Sequence, residues 1–282
     1  MATLTLIADD YAMTAGVSRG ILRLLEHGRI CGAGAMTNRP HWKGWSNTFR
    51  SFHGQRDLGL HLNLTLGKPL SAMPAFAASG TLPSIGDIAK GALSMRLPLD
   101  EIRTEIEAQL DAFESAMDAR PDFIDGHQHV HGLPGVRRVL LAVLKERYAK
   151  GQKPWLRDPA DHLKRIMKRG RNIQKALAIG SLTSGFGPRA QKAGFLTNDS
   201  FAGFSAFDPK TDYATDFTSY LIAPATRHLV MCHPGEVDEE LGMIDPVVET
   251  RPHELSYLMS EQAADALAEA GLTLGRLRPL SS

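Results

Sequence analysis

Four short apolar runs in this chain each lead into side chains that can do chemistry. Asp9-Asp10 follows the run from Thr3 to Ala8, and His61 and Asn63 alternate with leucines between Leu58 and Thr65. Asp125-Gly126-His127-Gln128-His129-Val130-His131 follows Phe123-Ile124, and His233-Pro234-Gly235-Glu236 follows Leu229 to Cys232. Runs this short, apolar and partly β-branched read as buried strands. Weaker strand candidates lie at 31–37, at Trp155-Leu156 and at 194–198.

Helical periods fill the gaps. Thr14 can cap a helix that carries Val17, Ile21, Leu24 and Leu25 on one face and stops at Gly28. The clearest helix is 99–118, where Ile102, Ile106, Leu110, Phe113 and Met117 recur every three or four positions. Further helices are expected at 135–149, 161–179 and 253–270, whereas 66–98, rich in Pro, Gly, Ala and Ser, reads as a long loop. Strands separated by helices imply βα units and a parallel sheet. The expected fold is therefore a distorted, TIM-barrel-like (β/α) barrel forming one domain over 1–282, with a doubly wound open sheet as the rival. Neither a G-x-G-x-x-G turn nor a P-loop is present, which weighs against the nucleotide-binding versions.

Composition narrows the partners. Hydrophobic residues make up 43% and charged residues 22%, which excludes disordered, collagenous and coiled-coil classes. Lys+Arg 32 against Asp+Glu 31 leaves a net charge of +1, so no global attraction for nucleic acid or acidic membranes exists. No apolar stretch reaches the roughly 18 residues of a spanning helix. Two cysteines, Cys31 and Cys232, make no disulfide framework and suit a reducing, cytoplasmic setting. The basic stretch 161–179 (Lys164, Arg165, Lys168, Arg169, Arg171, Lys175) is either a solvated face or a surface for anionic lipid or phosphate. A homodimer is the default assembly.

In parallel α/β folds the C-terminal strand ends face one opening, so the four polar groupings are expected to converge there. An Asp-Asp pair can divide labour between a metal and a general base, or simply cap the next helix. His61 is either a ligand or a satisfied core residue. In an extended stretch, His127, His129 and His131 would project to one side, one as a ligand and the others supporting it or touching substrate. His233 could be a general acid, a substrate contact or a buried structural residue. Oxygen and nitrogen donors without thiolates suit a catalytic divalent ion with open positions, and metal-assisted hydrolysis is the natural reaction class.

Ile7-Ala8-Asp9-Asp10-Tyr11-Ala12, Gly59-Leu60-His61-Leu62-Asn63-Leu64-Thr65, Asp125 to His131 and His233-Pro234-Gly235-Glu236, in this order and spacing, resemble the YdjC-like carbohydrate deacetylase family. That family includes chitooligosaccharide and hopanoid-associated deacetylases. The resemblance runs to about residue 255. It implies a distorted barrel and one divalent ion, zinc or magnesium, on Asp10, His61 and His127. It further implies Asp9 as general base, His233 as the acid for the leaving amine, and Arg157 as the group that orients the base. The substrate would be an N-acetylated amino sugar, on an oligosaccharide or a glycolipid. Another metal-dependent amidohydrolase or phosphoesterase, or a non-catalytic sugar-binding homologue, is the alternative. This chain has Tyr11-Ala12 where many members have Phe-Gly, which bears on the first βα loop.

Overall fold

β1 (Ala2–Tyr11) is the hub of the molecule. In a computed structural model describing residues 2–278, it pairs in parallel with β2 (Gly32–Ala35), β7 (Arg227–Cys232) and β8 (Leu272–Leu274). The sheet continues from β2 through β3 (Asp57–Leu62) and β4 (Phe123–Gly126) to β5 (Trp155–Leu156), and from β7 to β6 (Ser200–Ala202). Every one of these pairings is parallel. The path β5-β4-β3-β2-β1-β7-β6 curls until its two edges meet at a single bridge, Leu156 to Thr197, just ahead of β6. The expected distorted (β/α) barrel is thus observed, with a seam of one bridge where a regular barrel has a full strand pair.

Local chemistry accounts for the elements. Thr14 caps α1 (Ala15–Glu26) by accepting the Val17 N–H at 3.2 Å, and Val17, Ile21, Leu24 and Leu25 are fully buried. On α4 (Leu99–Met117) the expected stripe is buried from Ile102 to Met117, each side chain contributing about 1.5–3 kcal/mol. The weak strand β2 is small-residued for a reason. A Cβ on Gly34 would lie 3.1 Å from His61 Cβ and 3.3 Å from Asp125 Oδ1, so glycine makes room for that pair inside the barrel.

Several expectations are corrected. The 66–98 segment contains a nine-residue helix, α3 (Ile85–Leu93), capped by Ser84 and set among residues rich in Pro, Gly, Ala and Ser. Between β2 and β3 the chain forms α2 (Trp42–Arg50), which was not foreseen. The basic helix 161–179 is two helices, α6 (Leu163–Arg169) and α7 (Ile173–Leu182), because Gly170 adopts φ 70° and ends the first. Its charges divide: Lys164 and Lys168 lie on the exposed face, whereas three others are tied into the fold. Arg169 holds Asp161 and the Phe201 carbonyl, Arg171 holds Asp216, and Lys175 donates to the Ser205 carbonyl. The strand expected at 194–198 lies at β6, although Thr197 makes the closing bridge.

Beyond them lie α5 (Val136–Arg147), α8 (Phe186–Lys192), α9 (Tyr213–Tyr220) and α10 (Glu239–Ile244). The helix expected at 253–270 is α11 (Thr250–Met259) and α12 (Glu261–Glu269), separated at Ser260, whose backbone is extended. Among the described residues no helix is long and apolar enough to cross a membrane.

The segment after β8 returns beneath the barrel. Arg276 pairs with Asp57 at 2.5 Å and Asp122 at 2.8 Å, and burial, partly offset by Arg276, raises Asp57 to about 6. Arg276→Met would leave Asp57 buried without its counter-charge, at an expected loss of about 2–3 kcal/mol near pH 8. A carboxyl raised by burial is stabilised when protonated, so the loss should shrink as pH falls below about 6. Chemical denaturation of both proteins at pH 5 and pH 8 checks this; an equal loss at both would refute it.

Candidate active site

Adjacent residues on a regular strand point to opposite faces, so Asp9 and Asp10 could not both serve one opening from ideal β geometry. The strand solves this with an irregularity. Its register with β2 breaks between Ala8 and Tyr11, and Asp10 adopts φ 72°. Such a bulge re-aims side chains next to active sites, and Asp tolerates the left-handed region better than most residues. Ala12 also takes a positive φ, 68°, where the resemblance would put glycine. Tyr11 stacks on Phe49 and donates its hydroxyl to the Trp45 carbonyl at 2.9 Å, a bond that a phenylalanine would lack.

Both carboxylates now enter one buried cluster. Asp10 Oδ1 lies 2.9 Å from His127 Nδ1 and 3.3 Å from His61 Nε2. One donor atom from each of Asp10, His61 and His127 lies within 4.8 Å of the others. His61 Nδ1 donates to Asp125 Oδ1 at 2.7 Å, which turns Nε2 toward Asp10. A carboxylate behind an imidazole is the usual support of a metal-bound histidine. One carboxylate oxygen and two imidazole nitrogens, fixed from behind, fit a divalent cation.

Asp9 sits beside this group. Arg157 Nη1 and Nη2 donate to its two oxygens at 2.7 and 2.6 Å, and Nη2 also reaches Asp125 Oδ2 at 2.5 Å. Burial alone would raise Asp9, but the Arg157 guanidinium, with His61, holds it well below the ordinary carboxylate range. Burial likewise opposes charge on His61, yet Asp125 and Asp9 lift its imidazole to about 10. Among the described residues, Asp9, Asp10 and Asp125 face two guanidiniums, those of Arg157 and Arg251, both essentially buried, and Arg251 is shared with Asp245. Carboxylates outnumber guanidiniums in this cluster, a demand that an imidazolium or a bound cation meets.

The three histidines of the Asp125–His131 run do not share a side. Gln128 and His129 adopt φ 53° and 59°, two left-handed residues in succession that kink the segment and destroy the alternation of an extended chain. His127 reaches Asp10, whereas His129 packs edge-on against Phe201 and Phe204. His131 Nε2 donates to the Arg157 carbonyl at 2.9 Å, and so braces the backbone of the residue that grips Asp9. His233 is close but not bonded: its Nε2 lies 3.8 Å from Asp9 Oδ2, and its ring packs on Phe207. Burial pushes that imidazole down to about 4, against the pull of Asp9. Asn63 stands apart from the cluster and organises the turn after β3, accepting from Thr65 and Leu66 N–H and donating to Asn38.

Two site residues escaped the sequence reading, Arg251 and Glu254 on α11. Arg251 Nη2 donates to Asp10 Oδ2 at 2.8 Å. Glu254, raised to about 7 chiefly by burial, accepts the His233 backbone N–H at 2.6 Å. A signal existed: Arg251, Glu254, Leu255 and Leu258 form a buried helical stripe in which two of four positions are charged. Charges at core positions of a helix are placed there by a partner.

This chain is similar to several known proteins. A chitooligosaccharide deacetylase of Klebsiella pneumoniae is 29% identical over 272 residues, 96% of each chain. One of Serratia marcescens is 27% identical over 278 residues, 97% of each. A third, from an Enterobacter species, is 36% identical over 129 residues, which is 46% of this chain and 50% of that protein. Among solved structures, a candidate cellobiose-phosphate cleavage protein from Enterococcus faecalis V583 has the same fold, with TM-score 0.71, 22% identity, and coverage of 98% of this chain and 97% of that one. The profile of the YdjC-like protein family matches residues 3–269, and the chain belongs to that family.

Proposed function

We propose that this protein hydrolyses the N-acetyl group of an amino sugar, on an oligosaccharide or a glycolipid, with one divalent cation (zinc or magnesium) held by Asp10, His61 and His127. The observation that carries the reading is the convergence of those three donors beside a carboxylate, Asp9, that Arg157 clamps and His233 flanks. Full-length relatives named chitooligosaccharide deacetylase support it. When bound, the cation would polarise the acetyl carbonyl and make a bound water more acidic.

The chain's own residues then have distinct tasks. Asp9 accepts the proton of the attacking water at Oδ2, the oxygen nearer His233. Because Arg157 keeps Asp9 ionised, the base is always available; the clamp lowers its basicity and fixes its direction. His233, with its imidazole down at about 4, is neutral at pH 7 and does not arrive as a ready acid. It receives the proton that Asp9 has collected, through one water bridging the 3.8 Å between them, and passes it to the departing amine. Arg157 and His131 hold the direction of that transfer through the hydrogen bonds already described.

Acetate release tests the reaction. Metal-stripped protein reloaded with zinc, magnesium, manganese or cobalt should free acetate from N-acetylglucosamine, its dimer or longer oligomers, or from a lipid-linked amino sugar. Phosphate released from a phosphate ester, with no acetate from any of these pairings, would replace the reading with a phosphoesterase. Asp9→Asn should lower kcat by about 10²–10⁴-fold, the usual share of a general base, and leave metal content unchanged. Unchanged turnover would remove Asp9 from that role. His61→Ala or His127→Ala should instead lose the metal, measured by elemental analysis; full occupancy in either would withdraw that residue as a ligand.

A further inference from the structure

We infer that Arg251 is a positioning residue that engages Oδ2 of Asp10, so that Oδ1 alone is presented to a cation between His61 and His127. The inference rests on the metal-centre reading above and concerns a residue outside the donor set.

The guanidinium is fixed at three points. Nη2 donates to Asp10 Oδ2 and to Asp245 Oδ2, each at 2.8 Å, and Nε donates to the Val247 carbonyl at 2.9 Å. The side chain is 1% exposed, so these bonds are not shared with bulk water. A planar fork tethered in this way cannot swing with its partner as a lysine would. A carboxylate with both oxygens free can grip a cation through either or both. Here Oδ2 is taken from behind, and Oδ1 is the oxygen that meets both imidazoles, at 2.9 and 3.3 Å. The backbone of Asp10 adds a reason for such a tether. At φ 72° it is strained for a non-glycine residue, and strained residues persist where surrounding bonds over-determine them.

The turn after β7 packs beside this arm. A Cβ on Gly235 would lie 3.2 Å from Val17 Cα and 3.3 Å from Val17 Cγ2, so the glycine of His233-Pro234-Gly235 lets the turn sit close on α1, and Arg251 Cδ is in ordinary contact range of the same position, at 3.5 Å. One helical turn further on, Glu254 takes the His233 N–H. A single helix therefore sets the ends of both β1 and β7, through two side chains at i and i+3.

Cobalt binding tests this without any substrate, because the ligand field of the ion reports the carboxylate's binding mode. Wild-type protein, stripped and titrated with Co²⁺, should bind one ion with a defined visible spectrum. Arg251→Met should weaken binding by about 10–100-fold, the usual effect of losing a group that supports a ligand, and change the spectrum. Arg251→Lys, which keeps the charge and loses the fork, should recover part of the affinity but not the wild-type spectrum. Asp245→Asn keeps the arginine and loosens one tether, so its loss should be smaller. Wild-type affinity and spectrum in Arg251→Met would overturn the inference. Should that variant fail to fold by circular dichroism, wild-type affinity and spectrum in both Arg251→Lys and Asp245→Asn would overturn it equally. Absence of Co²⁺ binding by the wild-type protein would instead overturn the metal-centre reading on which this rests.

Discussion

The guanidinium of Arg157, held between Asp9 and Asp125, is the interaction on which the rest of the site depends. Three carboxylates in a buried space repel one another, and each is expensive to desolvate. Arg157 resolves two of them together, with Nη1 and Nη2 on Asp9 and a second contact from Nη2 to Asp125. Arg251 resolves the third, Asp10, from the opposite side. Buried ion pairs of this kind contribute little net stability relative to an apolar core. Their effect is directional: each carboxylate is left with one defined orientation, and His61 is oriented in turn by Asp125.

The barrel supports that network by bringing strand ends together rather than by forming a regular wall. β1 carries three neighbours and the break in register that aims Asp9 and Asp10. β2 contributes almost no side-chain volume, and this absence is its function, since His61 and Asp125 occupy the space beside Gly34. The seam between β5 and β6 is only one bridge wide. The basic segment serves the same region. Arg169, Arg171 and Lys175 tie α6 and α7 to the stretch from Phe201 to Asp216, which includes Phe207 beside His233.

Much of this is legible in the sequence. Long periodic segments, such as the stripe from Ile102 to Met117, announce themselves because burial repeats with the helical pitch. Short elements do not: α3 is nine residues inside a loop-like composition, and β8 is three residues long. Breaks inside a helical pattern were also missed, because Gly170 is a weak stop signal and the extended Ser260 leaves no mark on the hydrophobic pattern. The shape of the histidine run is not legible in the sequence, since nothing in Gln128-His129 signals two left-handed residues in succession.

Residue chemistry and order along the chain were enough to bring Asp9, Asp10, His61, Asn63, the Asp125–His131 run and His233 to one opening, because strand ends in a parallel barrel have only one opening to face; Arg157, and His127 as the ligand of its run, came from the family resemblance alone. Family membership follows from the same local strings, matched over residues 3–269. What only the tertiary structure decided is which atoms meet. That His131 braces Arg157, that Asn63 shapes a turn, and that Arg251 and Glu254 reach in from α11 are contacts between residues with no fixed sequence relation. Sequence records which groups are available and the local periods that fold them. The pairing of buried charges depends on distances of about 3 Å between separate elements, and these exist only once the barrel has closed.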